Sequence, residues 1–233
     1  QYRLLGLFVG SWYKACMEAT RQLSPPMRER LAETLGASSC HLERSSQGLK
    51  TYKEKIDALA DSMSTYLIRQ HWPSLAKRYR QASLLEEAGQ AGQREFLFPK
   101  GISLDEWRLT KEGYVVFQRI DEEAAFDLGG IAQFLQCVYL DEQATLADIE
   151  AWYLGFCQAF PTTIHTHYHL LGRLIFPRRH LEILSSYLNQ EEEEERCMEA
   201  WLKACQEQTR LDELHLFLAQ LIDREKEERG LGS

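Results

Sequence analysis

Apolar side chains recur at steps of three and four along most of this chain, the spacing that places them on one face of an α-helix. Residues 4 to 23 carry the pattern and stop at Ser24-Pro25-Pro26, and a second helix is expected from about 27 to 36, closing at Gly36. After the polar string SSCHLERSSQG the pattern returns from Leu49 to Leu67 through Tyr52, Ile56, Leu59, Met63 and Tyr66. His71-Trp72-Pro73 is expected to interrupt it, with a further helix to about Ala88 and a loop at Gly89-Gln90-Ala91-Gly92. Beyond Asp127 the helical spacing predicts elements near 127–140, 145–159, 163–171, 177–189, 191–206 and 210–227.

Between these two helical stretches the period changes. Phe96 to Glu123 reads FLFPKGISLDEWRLTKEGYVVFQRIDEE, in which Arg108-Leu109-Thr110 and Tyr114-Val115-Val116-Phe117 flank Lys111-Glu112-Gly113, a glycine-containing connection suited to a β-hairpin. The expected fold is therefore mainly α with one embedded β-hairpin. It is read as one domain over 1–233, made of N-terminal helices in 1–44, a body in 45–227 and a flexible tail in 228–233.

Composition narrows the classes of function. A 44% hydrophobic content supplies a substantial core, so the chain is globular. No run approaches the roughly 18 to 20 apolar residues of a membrane span, and the chain reads as soluble with no membrane partner. With 27 Lys+Arg against 35 Asp+Glu the formal charge is -8, which argues against nucleic acid as a partner. Six scattered cysteines without a CxxC pair point to a reducing, cytoplasmic setting and to neither a zinc knuckle nor a disulfide framework.

One set of strings resembles a known family. A helical lobe with a loop, a hairpin and further helices is the plan of the C-terminal lobe of kinase-like phosphotransferases. The order of strings here resembles the aminoglycoside and choline phosphotransferase group, especially its spore-coat-associated members. On that resemblance Pro99-Lys100-Gly101 stands where the family has His-Gly-Asp, Glu106-Trp107 stands at its Asn, Arg119 at its first metal-binding Asp and Asp121 at the second. Asp127-Leu128 matches the Asp-Leu that opens the next helix, HLLGRLIFPRRHLEILSSYL (His169 to Leu188) resembles the closing string, and LKTYKEKIDAL (Leu49 to Leu59) an upstream helix. The resemblance implies a catalytically inactive, pseudokinase-like protein, because Gly101 carries no base and Arg119 repels a divalent cation. No catalytic residue, metal or cofactor is then expected. It further implies a protein partner, with a small anionic ligand as the alternative, and a cytoplasmic or spore-coat location. The partner would meet a groove walled by Lys100 to Trp107 and by the basic corner Arg173, Arg178 and Arg179 around Phe176-Pro177. Two alternatives stand beside this reading: a small-molecule phosphotransferase using Asp105, Glu106 and Asp121, and a helical regulatory or chaperone-like module unrelated to kinases.

Other constellations carry weaker signals. His165, His167 and His169 in TTIHTHYHLLG invite a metal reading, yet no cysteine or carboxylate lies close in sequence to complete a tetrahedral set. Cys157 with His165 or His169 makes a nucleophile pair only on paper. LAKRYRQ, with Lys77, Arg78 and Arg80 around Tyr79, is a local basic segment in an acidic chain. The acidic run Glu191 to Glu195 suits the N-terminus of the helix that follows.

Overall fold

A computed structural model describes residues 2–34, 46–89, 98–99, 107–109, 115–117, 124–125, 128–140, 144–189 and 193–228. These are mainly helical, in the order α1 (Tyr2–Gln22), α2 (Pro25–Thr34), α3 (Ser46–Asp57), α4 (Met63–Gly89), then four short strand pieces, then α5 (Gly129–Leu140), α6 (Leu146–Ala159), α7 (Ile164–Ile175), α8 (Arg178–Leu188) and α9 (Glu194–Glu228). Between α4 and α5, β1 (Phe98–Pro99) faces β4 (Ala124–Ala125), and β2 (Trp107–Leu109) faces β3 (Val115–Phe117), both antiparallel. The connection expected at Lys111-Glu112-Gly113 lies outside the described residues. So does most of the tail, whereas β1 lies against α1.

The helices depart from the spacing-based expectation most clearly at three places, and α7 also runs on to Ile175 beyond the expected 171. The pattern from Leu49 to Leu67 is not one helix, because the chain turns between Asp57 and Met63. Ser62 accepts from the Thr65 backbone N–H at 3.2 Å to start α4, and the Arg69 guanidinium reaches back to the carbonyl oxygens of Leu59, Asp57 and Ile56 and to Asp61. Capping of this kind satisfies backbone groups that a helix end leaves open. Conversely α4 runs through Pro73 without ending. Proline costs one helical hydrogen bond, and the burial of Trp72, Leu75, Ala76 and Tyr79 on the same element offsets that loss. The expected break near residues 207–209 is also absent: α9 is continuous, and Thr209 donates back to the Cys205 carbonyl at 3.2 Å within it.

Two apolar clusters hold the helices. The larger joins α1, α5, α6, α7 and the C-terminal half of α9 around Tyr13, Phe134, Trp152, Phe156 and Leu218. In it α1 and α6 approach unusually closely. A Cβ on Gly6 would stand 1.9 Å from the Trp152 carbonyl oxygen, and one on Gly155 2.2 Å from that of Arg3. Backbones meet this closely only where side chains are missing. The second cluster packs α3, the first half of α4, α8 and the N-terminal half of α9 around Ile56, Trp72, Tyr79, Leu184 and Trp201. Contact of α4 with α7 joins the two, and it is tight at Gly89 and Gly172: an added Cβ would lie 2.5 Å from the His169 backbone nitrogen at the first and 3.0 Å from the Ala82 carbonyl oxygen at the second.

Glu194 serves two helix starts. It lies in the first turn of α9 and also accepts from the Ser64 backbone N–H at the start of α4, at 3.4 Å. Hydrogen bonds from Ser62 and Ser64 hold its carboxyl below the usual range. Pro177 precedes α8 as its N-cap, whereas Phe176 is only partly buried, against the Tyr79 ring with centroids 5.4 Å apart. The cost of truncating Phe176 therefore falls below that of a fully buried phenylalanine. No described helix is long and apolar enough to cross a membrane.

Candidate functional site

The residues singled out by the kinase-like resemblance, Lys100, Gly101, Asp105, Glu106, Arg119 and Asp121, lie outside the described residues. Trp107 falls in β2, with its side chain undescribed. The three arginines of the Phe176-Pro177 corner are described, and they do different things. Arg173 turns inward and pairs with Glu86 of α4 at 2.9 Å, the two side chains being 10% and 1% exposed. Arg178 pairs with Glu182 one turn on, and Arg179 with Glu207 of α9 at 2.6 Å. The corner thus ties α7 to α4 and α8 to α9.

The histidine string diverges in the same way. On α7, the Nδ1 of His165 lies 2.8 Å from the Ala88 carbonyl at the end of α4, and that of His167 lies 2.5 Å from the Tyr153 hydroxyl on α6. His169 is buried with its backbone against Gly89. A helix puts His165 and His169 on one face and His167 on another, so they close two joints, α7 with α4 and α7 with α6. Among the described residues no group of three His, Cys, Asp or Glu side chains is arranged to hold a metal ion.

An open concave surface lies elsewhere, along α4. Here α3 and α4 enclose a groove of about 580 Å³. Leu49, Lys50 and Lys53 form its α3 wall, and Trp72, Ala76 and Tyr79 line it from α4. It continues past Arg80, Ser83 and Leu84 to Glu87. Leu84 is 67% exposed, a large apolar side chain left in water beside buried aromatic rings. Sequence spacing placed Tyr79 and the cations of LAKRYRQ near one another. It could not reveal the groove, because the wall opposite them comes from α3.

Behind the groove, on the other side of the same cluster, α4, α8 and α9 bring four side chains together. The Trp201 indole N–H donates to His71 Nδ1 at 3.0 Å, and the Cys205 sulfur lies 3.5 Å from that nitrogen and 3.6 Å from His180 Nε2. His180 meets the edge of Trp201 with centroids 5.1 Å apart. Arg78 closes the set with a bidentate ion pair to Asp212. Burial raises the Cys205 thiol above its ordinary value, so the sulfur is a protonated packing group at neutral pH and a poor nucleophile. Burial, then the charges of Arg78, His71 and Arg179, push His180 down to about 4.

The sign of the resulting pH dependence follows directly. The folded state holds His180 neutral, while the unfolded chain takes up a proton near 6.5, so stability is full above pH 6.5 and falls as the pH drops towards 4. At about 1.4 kcal/mol per pH unit the loss is at most about 3 kcal/mol. Urea midpoints of the wild type are expected to fall more steeply between pH 7 and pH 4.5 than those of His180→Gln. Parallel curves would show that His180 does not carry the effect.

Comparison with protein-family models, with curated proteins and with solved structures finds no match. The described residues define a mainly helical protein with an open, partly apolar groove along α4.

Proposed function

We propose that the protein is a helical interaction module that acts by receiving a segment of another protein in the α3–α4 groove, without chemical turnover. The observation that supports this reading is the groove itself, with Leu84 exposed on it and aromatic side chains from the second core at its base. Its volume is within the roughly 300 to 1,000 Å³ of ligand-accepting clefts, and its long, open shape suits a peptide better than a small molecule.

Two substitutions test it. Leu84→Glu puts a charge on the apolar surface, and Ser83→Trp fills the groove. Both positions are at least partly exposed, so the expected change in stability is within about 0.5 kcal/mol for Leu84→Glu. Binding of amphipathic helical peptides of about 14 residues, followed by fluorescence anisotropy, is expected to weaken at least about tenfold in each variant. Unchanged binding in both would place the contact surface elsewhere.

The kinase-like lobe with its embedded hairpin, pseudokinase character and spore-coat setting is a second proposal. The antiparallel facing of Trp107–Leu109 and Val115–Phe117 in a helical chain favours it. It predicts no magnesium-dependent ATP consumption with aminoglycoside, choline or sugar acceptors. Turnover abolished by Glu106→Ala or Asp121→Ala would replace it with the phosphotransferase alternative.

A further inference from the structure

The groove's chemistry narrows the partner. Trp72, Ala76, Tyr79 and Ser83 follow one another along α4 at steps of four, three and four. That alternation is the seam a helix offers to a second helix, since it keeps one narrow stripe facing the partner over successive turns. Trp72, Ala76 and Tyr79 are buried in the second core and show only their edges as the floor of the groove, while Leu84 stands out from it, so an incoming helix lies over that floor with an apolar face against Leu84. A β-strand partner would need a row of open backbone groups, and α4 spends its own within the helix.

The flanks of the stripe carry charge. Arg80 and Glu87 border it on α4, one heptad apart, and Lys50 and Lys53 border it from α3. Three cations face one anion, on a chain whose formal charge is -8. Lys50 and Lys53 touch Glu54 and Asp57 on their own helix, through side chains more than half exposed. Exposed pairs of this kind hold weakly and exchange readily for an incoming carboxylate. Charges beside such a stripe select the partner more than they strengthen the contact.

We infer that the occupant of the α3–α4 groove is an amphipathic α-helix with an acidic edge, its apolar residues on Trp72, Ala76, Tyr79 and Leu84 and its carboxylates towards Lys50, Lys53 and Arg80. The inference rests on the groove reading proposed above. Three amidated helical peptides of about 14 residues probe it, sharing one Leu/Ala face and carrying Glu, Ser or Lys along the flanking edge. The Glu peptide is expected to bind the full chain at least about tenfold more tightly than the Lys peptide at low salt, with the difference shrinking as ionic strength rises from about 0.05 M to about 0.5 M. Arg80→Glu, an exposed position, is expected to reduce or reverse the preference while thermal melting stays unchanged.

The outcomes separate the two levels of the argument. Equal binding of the three peptides, all lost in Leu84→Glu, overturns the acidic-edge inference and leaves the groove reading standing. No binding of any peptide, or binding indifferent to Leu84→Glu, overturns both. A dimer in sedimentation that Leu84→Glu dissociates would make a second copy of this chain the occupant, which also overturns the inference.

Discussion

Gly6→Ala is expected to destabilise the protein by about 3 kcal/mol, although alanine is the better helix former. In an exposed helix interior the same change would gain close to 1 kcal/mol. Here the added methyl would lie 1.9 Å from the carbonyl oxygen of Trp152, far inside any tolerated contact, and the obstacle is backbone that no rotamer change can move. The helices α1 and α6 must separate, which loosens Val9 and Tyr13 from Ile149, Trp152 and Phe156 in the centre of the larger cluster. Urea denaturation of Gly6→Ala beside Leu4→Gln measures this. Leu4 is on the same helix but exposed, and its replacement should stay within about 0.5 kcal/mol. A stabilised Gly6→Ala would mean that α1 and α6 do not pack this closely.

The second large effect is expected at the α4–α7 joint. Arg173→Met should cost about 3 to 5 kcal/mol, because it removes the cation facing Glu86, a carboxylate that the fold has taken almost completely out of water. The pair itself is a weak source of stability, since both charges were desolvated to form it. Replacing both members at once, as Glu86→Leu with Arg173→Met, is therefore expected to recover most of the loss. A double-mutant cycle by urea unfolding gives the coupling directly. If Arg173→Met alone cost under about 1 kcal/mol, Glu86 would have to be stabilised without its arginine. The same experiment bears on function, since α4 carries the groove on one side and this joint on another.

The helical character of the chain was legible because apolar spacing is a local property. Thr145-Leu-Ala-Asp148 and Thr163-Ile-His-Thr166 each form a capping box, and the helices expected from about 145 and 163 begin beside them, at Leu146 and Ile164. Boundaries failed where the deciding partner is distant in sequence or of a kind that spacing ignores. Arg69 gathers the carbonyls that end α3, and Pro73 survives inside α4 because its neighbours are buried against α8 and α9. The candidate residues suffered from the same limit. Arg173, Arg178 and Arg179 are adjacent in a string and look like one basic patch, yet a helix junction turns the first inward and the other two towards different carboxylates.

By itself the sequence determined a mainly helical protein, because the repeat of apolar positions fixes which segments can bury one face when coiled. Nothing local distinguishes Gly6 or Gly155 from a glycine in a loop. Only the tertiary structure decided that these glycines face a neighbouring backbone, that Glu86 and Arg173 meet in the interior, and that His71, His180, Trp201 and Cys205 converge from three helices. It alone set α3 beside the Trp72–Ser83 stripe and made a groove of it. The reason is physical: periodicity specifies which face of each helix leaves water, whereas the crossing of one helix on another is chosen by side chains far apart in sequence, where small residues allow approach and charges find partners.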